Sequence, residues 1–536
     1  MTLIHQAAIR KAMMQPGFYP HPVQSIERRE THISTVFLTG PYVYKVKKAV
    51  DLGFLDFTTL AKRKTYCRLE VRLNRRLSQG VYLDVLPITC HEGRYRLDGP
   101  GEPVEFAVKM RQLAEADSMQ QRLRKEGLTD AQIRALVHRL VVFFAGAAKG
   151  CTPEASAVPA WEENLRRVDG FAGVWIDRPR FEYVRTAAGA FARSHGALFD
   201  RRRTELKIKD GHGDLRTDHI YFTSNGIQII DCIEFNPNLR CLDVISDLAF
   251  LAMDLDDQDF TETAGDLIRW YVEASDDLGA LPLVDFYRCY RAMVRCKVCC
   301  YRLQEKALAD PEEAALRASA ARYLALACDY AAGFSRPTLW MVGGLPAAGK
   351  STVARELAAL QAISVIRSDV VRKELFAETA EAAATAAFDQ GIYSVGATEA
   401  TYNRMIALAD EFLKKGVSVV IDATFSRRAH RVQALRLAER RQALPIFVEC
   451  WAAEAVLAAR LRQRESRPSV SDARLFHLED FKKRYEPVAS MGNAVHIRID
   501  TARPLRECLR QVLLAAQFPT GSQSPDRAVP ARRNIG

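Results

Sequence analysis

No run of apolar residues in this 536-residue chain approaches the roughly eighteen needed to cross a bilayer as a helix, so no membrane partner is expected. No secretory leader is expected either. In Met1–Met14 the cations Arg10 and Lys11 follow the apolar residues instead of preceding them, and a cytoplasmic protein is expected. Zinc-finger spacing is not found among the twelve cysteines. The densest group, Cys289, Cys296, Cys299 and Cys300, lies in a stretch of helical period with no second CxxC-type pair at finger distance. These four are expected to be reduced, small apolar core side chains, with no structural metal. The chain has no internal repeat. Its formal net charge of +11 suits phosphate-bearing ligands. No dense Lys/Arg run concentrates that charge beside the candidate acceptor residues, so nucleic acid is a possible but not a favoured partner. What is present, 48% hydrophobic and 26% charged residues, describes a globular chain too long for one core.

The segment to about Leu113 reads as a small mixed lobe. Ser34–Leu38 and Tyr42–Lys47 are two short runs joined by Thr39-Gly40-Pro41, a hairpin signature. Alternation in the second run puts Tyr42, Tyr44 and Val46 on one face and Val43, Lys45 and Lys47 on the other. A helix is expected over Leu60–Leu77, with further strands at Val81–Ile88 and Glu105–Met110. From Thr129 the pattern turns helical. Between helices stands His212-Gly213-Asp214-Leu215-Arg216-Thr217-Asp218-His219, and after a turn at Asn225-Gly226 comes Ile229-Ile230-Asp231. A short hairpin there would bring Asp214 and Asp231 together. A carboxylate pair of this kind suits phosphoryl transfer, one orienting the acceptor hydroxyl and the other holding magnesium.

Thr338–Val342 reads as a buried strand, followed by Gly344-Leu345-Pro346-Ala347-Ala348-Gly349-Lys350-Ser351-Thr352 and then a helix-forming stretch. Strand, glycine loop and helix together make a P-loop: the backbone N–H groups of the loop face phosphate, Lys350 supplies charge and Ser351 a hydroxyl for magnesium. From there to about Gln517 strands and helices alternate, which argues a doubly wound parallel sheet with its site at the C-terminal strand ends. Three stations stand at such ends. Asp369 follows a strand expected to neighbour the P-loop strand and could take the acceptor proton. Asp422 ends the next strand and can hold magnesium. Arg460, Arg464 and Arg467, with Pro468 beyond, could stabilise a phosphoryl group in flight.

The H-G-D and I-I-D stretches resemble the aminoglycoside phosphotransferase and choline kinase superfamily, relatives of the protein kinases, over roughly residues 30–330. The resemblance implies a bilobal kinase-like domain at 1–335, with its small lobe ending near 113, and a catalytic role for Asp214 with a metal-binding one for Asp231. It implies Lys45 as the strand lysine on the α/β-phosphates and Glu70 as its helix partner, with Lys47 a rival. His219 occupies the metal-binding asparagine's position, Asn236 is a nearby substitute, and Glu30–Ser34 carries no glycine-rich phosphate loop. A second domain is expected at 336–517, and about residues 338–517 of it resemble the small P-loop kinases: polynucleotide 5′-kinase, zeta-toxin-like kinases, chloramphenicol phosphotransferase and gluconate kinase. In them S-D-x-x-R supplies an acceptor-binding aspartate and arginine, here Ser368, Asp369 and Arg372. The implied protein is an ATP- and Mg2+-dependent phosphotransferase acting on the hydroxyl of a small molecule, with a disordered tail at 518–536. One alternative is a nucleic-acid 5′-end kinase using Tyr393, Tyr402 and Tyr485 as stacking aromatics. The other is a nucleotide-gated interaction protein.

Overall fold

The computed structural model describes residues 3–53, 55–147, 157–305, 309–376, 394–465, 478–488 and 491–518. The expected tail from Pro519, Tyr393, Arg467, Pro468 and the side chain of Arg464 lie outside the described residues. The chain forms two compact units that do not follow chain order. One comprises Met1–Gly170, Arg202–Ser275 and Tyr290–Tyr323; the other comprises Phe171–Arg201, Asp276–Cys289 and Leu324–Gly536.

The first unit is built on a six-stranded antiparallel sheet of β1 (Glu27–Glu30), β2 (Ser34–Leu38), β3 (Tyr42–Lys47), β4 (Tyr82–His91), β5 (Arg94–Leu97) and β6 (Glu102–Arg111), in the order β1-β2-β3-β6-β4-β5. The β2–β3 hairpin turns at Gly40, whose φ of 95° is a glycine conformation. On one face Phe37, Tyr44, Val46 and Ile88 pack with Ile9, Met13 and Phe18. On the other, Val43, Phe106 and Val108 pack against Cys67 and Val71 of the helix Leu60–Asn74. That helix starts where the Thr59 hydroxyl accepts from the Lys62 N–H. The alternation of β3 therefore aims Lys45 and Lys47 at the face the helix covers. β7 (Ile208–Asp210) pairs with β10 (Cys241–Asp243), and the hairpin of β8 (Ile220–Thr223) and β9 (Gly226–Ile229) carries the stretch between Asp214 and Asp231.

In the second unit β11 (Thr338–Gly343), β12 (Ser364–Arg367), β13 (Val419–Asp422), β14 (Leu444–Trp451) and β15 (Val495–Asp500) form a parallel sheet in the order β12-β13-β11-β14-β15. Leu339 and Met341 face a core shared with Met405, Ala409, Ala434 and Leu437 of the helices Val395–Lys414 and Arg428–Arg440. Trp340 and Val342 alternate to the opposite face. The chain steps from β11 to the edge, returns through β13, and then crosses to β14, so the P-loop strand sits at the switch point where such sheets bind ligands. The strand before Asp369 is thus not the neighbour of β11, contrary to the expectation from sequence. β13, buried along its whole length, takes the central place, while β12 begins exposed at Ser364 and serves as an edge.

Cys289, Cys296, Cys299 and Cys300 are buried free thiols, whereas Cys241 is disulfide-bonded. Among the described residues no helix is long and apolar enough to cross a membrane.

Candidate functional site

The P-loop leaves β11 through Gly344, whose N–H donates to the Thr424 carbonyl at 3.0 Å. Gly344 has a φ of 135°, and a Cβ there would lie 2.1 Å from the Cys450 carbonyl oxygen, so only glycine fits. Ala347 is also left-handed, at φ 62°, and Gly349 at φ 80° leads into the helix Lys350–Gln361. Lys350 Nζ donates to the Leu345 carbonyl at 2.8 Å, which folds its charge over the loop.

Around that charge the strand ends bring Asp422 and Asp369. Asp422 closes β13, is buried, and has its Oδ2 3.6 Å from Arg367 Nε. Asp369 lies in the first turn of the helix Ser368–Leu375. Burial raises the Asp369 carboxyl above its ordinary value, and Asp422 adds to the rise while Lys350 and Arg372 oppose it. Arg372 itself donates to the Thr398 hydroxyl at 3.3 Å. Arg460 is engaged elsewhere: it donates to the Ala347 carbonyl at 3.2 Å and to Thr501 Oγ1 and O at 3.0 and 2.6 Å. Its fork braces the P-loop against the end of β15. Ser351, in the first turn of the helix after the loop, and Asp422, at the end of β13, both carry hard oxygen donors of the kind Mg2+ takes.

The first unit holds a second constellation. The β3 lysines share one carboxylate: Lys45 Nζ is 2.9 Å from Glu70 Oε1, and Lys47 Nζ is 2.7 Å from Glu70 Oε2. Lys45 also pairs with Asp231 at 2.6 Å, whereas Lys47, completely buried, pairs with Glu234. Burial works against the Lys45 charge, yet Asp231 and Glu70 hold its pKa well above the usual lysine range. Asp231 stands at φ 64°, with its N–H on the Tyr82 hydroxyl at 3.1 Å.

Asp214 and Asp231 lie on either side of His219, whose Nδ1 is 3.7 Å from Asp214 Oδ2 and whose Nε2 is 3.7 Å from Asp231 Oδ2. His219 Nδ1 donates to the Asp214 carbonyl at 2.9 Å, and its Nε2 accepts from Arg216 Nη2 at 3.1 Å. With both ring nitrogens engaged, one of them by a guanidinium, His219 does not fit a hard cation. Among the described residues no three His, Cys, Asp or Glu side chains cluster as a metal site. Asn236 Oδ1 accepts from the Asn238 N–H at 3.0 Å and caps a short turn.

The loop that carries Asp214 is fixed from behind. Asp247, on the helix Val244–Asp257, accepts from the N–H groups of His212 at 2.6 Å and Gly213 at 2.9 Å. Arg291 Nη1 donates to the Gly213 carbonyl at 2.8 Å. Burial would raise the Asp214 carboxyl, but the neighbouring guanidiniums, Arg216 foremost and Arg295 with it, outweigh it and hold the group below its ordinary value. Sequence reasoning did not single out Arg216, Glu234, Asp247 or Arg291. Arg216, 3.2 Å from Asp214, was within the same short stretch and could have been flagged by charge alone. The others reach the site only through tertiary packing.

An AAA domain family model matches residues 339–488. The chain is 32% identical over 452 residues to the uncharacterized protein Rv2004c of Mycobacterium tuberculosis, covering 83% of this chain and 88% of that protein. Among solved structures it is similar to a choline/ethanolamine kinase family protein from Mesorhizobium loti, at 16% identity, 61% of this chain, 99% of that chain and a TM-score of 0.35. It is also similar to the Mycobacterium tuberculosis APS kinase CysC in complex with AMPPNP and APS, at 19% identity, 34% of this chain, 98% of that chain and a TM-score of 0.27. Scores of this size carry no argument; the fold class rests on the two sheets described above.

Proposed function

The chain belongs to the family of the mycobacterial protein Rv2004c, and we propose that it is an ATP- and Mg2+-dependent phosphotransferase acting on a hydroxyl of a small molecule. Residues 336–517 carry one transfer site and residues 1–335 a second. The observation that supports the reading best is the P-loop at the sheet's switch point, with Asp422 beside it and Asp369 under the influence of Lys350. The loop N–H groups and Lys350 hold the β- and γ-phosphates. Asp369 takes the proton of the acceptor hydroxyl as its oxygen bonds to the γ-phosphorus, and the bond from that phosphorus to the bridging oxygen breaks to release ADP. Ser351 and Asp422 are the side chains that would hold magnesium, which when bound neutralises phosphate charge.

At the other site Lys45 would meet the phosphates, and Asp214 would orient the acceptor hydroxyl. Its depressed pKa makes it a weak base, so orientation is its main contribution. The nucleic-acid alternative loses support from its aromatics. Tyr402 is buried, its ring centroid 3.6 Å from that of His430 and its hydroxyl accepting from the Phe425 N–H at 2.9 Å. Tyr485 donates its hydroxyl to Glu449 at 3.0 Å.

The test is transfer of γ-labelled phosphate from ATP into cell-extract metabolites by the full chain, with Lys350→Ala and Asp214→Asn as single and paired variants. Each single variant should remove a distinct labelled product, Lys350→Ala by at least ~100-fold. Unchanged labelling in the paired variant would refute the proposal.

A further inference from the structure

The helix Val284–Leu303 presents arginines to the Asp214 loop at helical spacing. Arg291 reaches the Gly213 carbonyl at 2.8 Å. Arg295, four residues on, lies on the same face one turn further along. The two differ in how they are satisfied. Arg291 has Ser246 and Asp247 as well as Gly213. Arg295 has no carboxylate within ion-pairing distance among the described residues, and its Nε is buried without a hydrogen-bond partner. Its contact is with Tyr323, whose ring centroid is 5.8 Å from the guanidinium carbon.

The carboxylates that could have neutralised it are committed elsewhere. Asp257 pairs with Arg322, and Asp254 accepts from the Thr217 N–H at 2.9 Å and hydroxyl at 2.6 Å. Asp214 and Asp218 share Arg216, at 3.2 and 3.1 Å. A half-buried guanidinium with no ion-pair partner, in electrostatic reach of an Asp214 carboxylate that is itself paired with Arg216, carries a desolvation cost that an incoming anion would relieve.

We propose that the acceptor phosphorylated at the Asp214 site is an anion, a hydroxyl compound bearing a carboxylate or phosphate, and that Arg295 binds its charge. The inference rests on the reading of Asp214 as a transfer site. It adds the acceptor's charge class and the residue that selects for it.

The experiment uses the full chain carrying Lys350→Ala, which silences the P-loop site. Extract metabolites are separated beforehand by anion exchange into an anionic pool and a neutral-plus-cationic pool, and each is incubated with γ-labelled ATP. Label should enter the anionic pool alone. Adding Arg295→Gln should raise the acceptor KM about 10–100-fold while the KM for ATP stays constant, as expected for a lost charge-assisted contact. Arg295→Lys should recover part of the loss, and it also serves as the test if Arg295→Gln shows no cooperative thermal transition. Label in the neutral-plus-cationic pool overturns the proposal. So does an acceptor KM in the anionic pool indifferent to both Arg295 variants. Absence of label from both pools refutes transfer at Asp214, a failure distinct from a wrong charge class.

Discussion

Lys45 and Lys47 are two residues apart on one strand and touch the same glutamate, yet removing one should act on function and removing the other on stability. Lys47 is fully buried, with both its carboxylate partners, Glu70 and Glu234, fully or almost fully buried too. Lys47→Met would leave Glu70 to Lys45 but strand Glu234, whose carboxyl burial already pushes above its ordinary value. Breaking one side of a buried pair costs roughly 3–5 kcal/mol. For a unit of this size that lowers the unfolding temperature on the order of 10 °C. Lys45 is different: its side chain is 12% exposed, and its partner Asp231 is 42% exposed and open to water once unpaired. Lys45→Met should cost only about 1–2 kcal/mol but remove the cation that would meet the phosphates.

The assay pairs calorimetry with binding of a non-hydrolysable ATP analogue, in full-length protein carrying Lys350→Ala so that only the first unit's site is read. Lys47→Met should melt early and, at low temperature, still bind. Lys45→Met should melt nearly normally and bind at least tenfold more weakly. Adding Glu234→Gln to Lys47→Met should restore part of the stability, because the stranded charge goes with its partner. Equal melting losses in the two single variants, or lost binding in Lys47→Met at unchanged stability, would refute the division of roles.

The acidic limb of the pH–rate profile for transfer by the P-loop site should lie above the ordinary carboxylate range, because burial raises Asp369, and Asp369→Asn should abolish that limb. Gly344→Ala should abolish ATP binding or folding, since its Cβ would meet the Cys450 carbonyl at 2.1 Å. Gly416→Ala, at φ 71° with nothing within 4 Å, should cost only about 1 kcal/mol in a denaturant titration. Burial pushes the His212 imidazole down to about 4, so below its unfolded value near 6.5 the unfolded chain holds a proton that the folded chain refuses. Stability present above that value should therefore be lost as pH falls toward 4, by up to about 3 kcal/mol, and His212→Gln should flatten the slope.

What could be read from sequence was whatever short-range periodicity determines. The β2–β3 hairpin starts and ends where its alternation and its Thr39-Gly40-Pro41 turn put it, and the P-loop lies between the strand and helix its spacing demands. Single strands without a strong pattern escaped: β1 is exposed along its whole length and β5 is short, so neither leaves a periodic mark. Strand order escaped for a different reason. Nothing near Ser364 says that residues more than fifty positions later will insert between that strand and β11. Only the comparison of β13, apolar on both faces, with β12, polar at its start, tells centre from edge.

The same distinction governs the sites. Asp214 and Asp231 stand in short chemical patterns, and Lys45 and Glu70, with Lys47 as a rival for Lys45, follow from the resemblance those patterns carry. Glu234 and Arg295, the proposed acceptor-binding residue, stand outside such patterns, and their meaning depends on which neighbours are already paired. Glu234 matters because it alone remains if Lys47 is removed. Arg295 matters because Asp257, Asp254 and Asp214 are committed elsewhere. A charge becomes a binding determinant when the fold leaves it unbalanced, and that balance is a property of the packed structure, visible only after the partners of every neighbouring group have been counted.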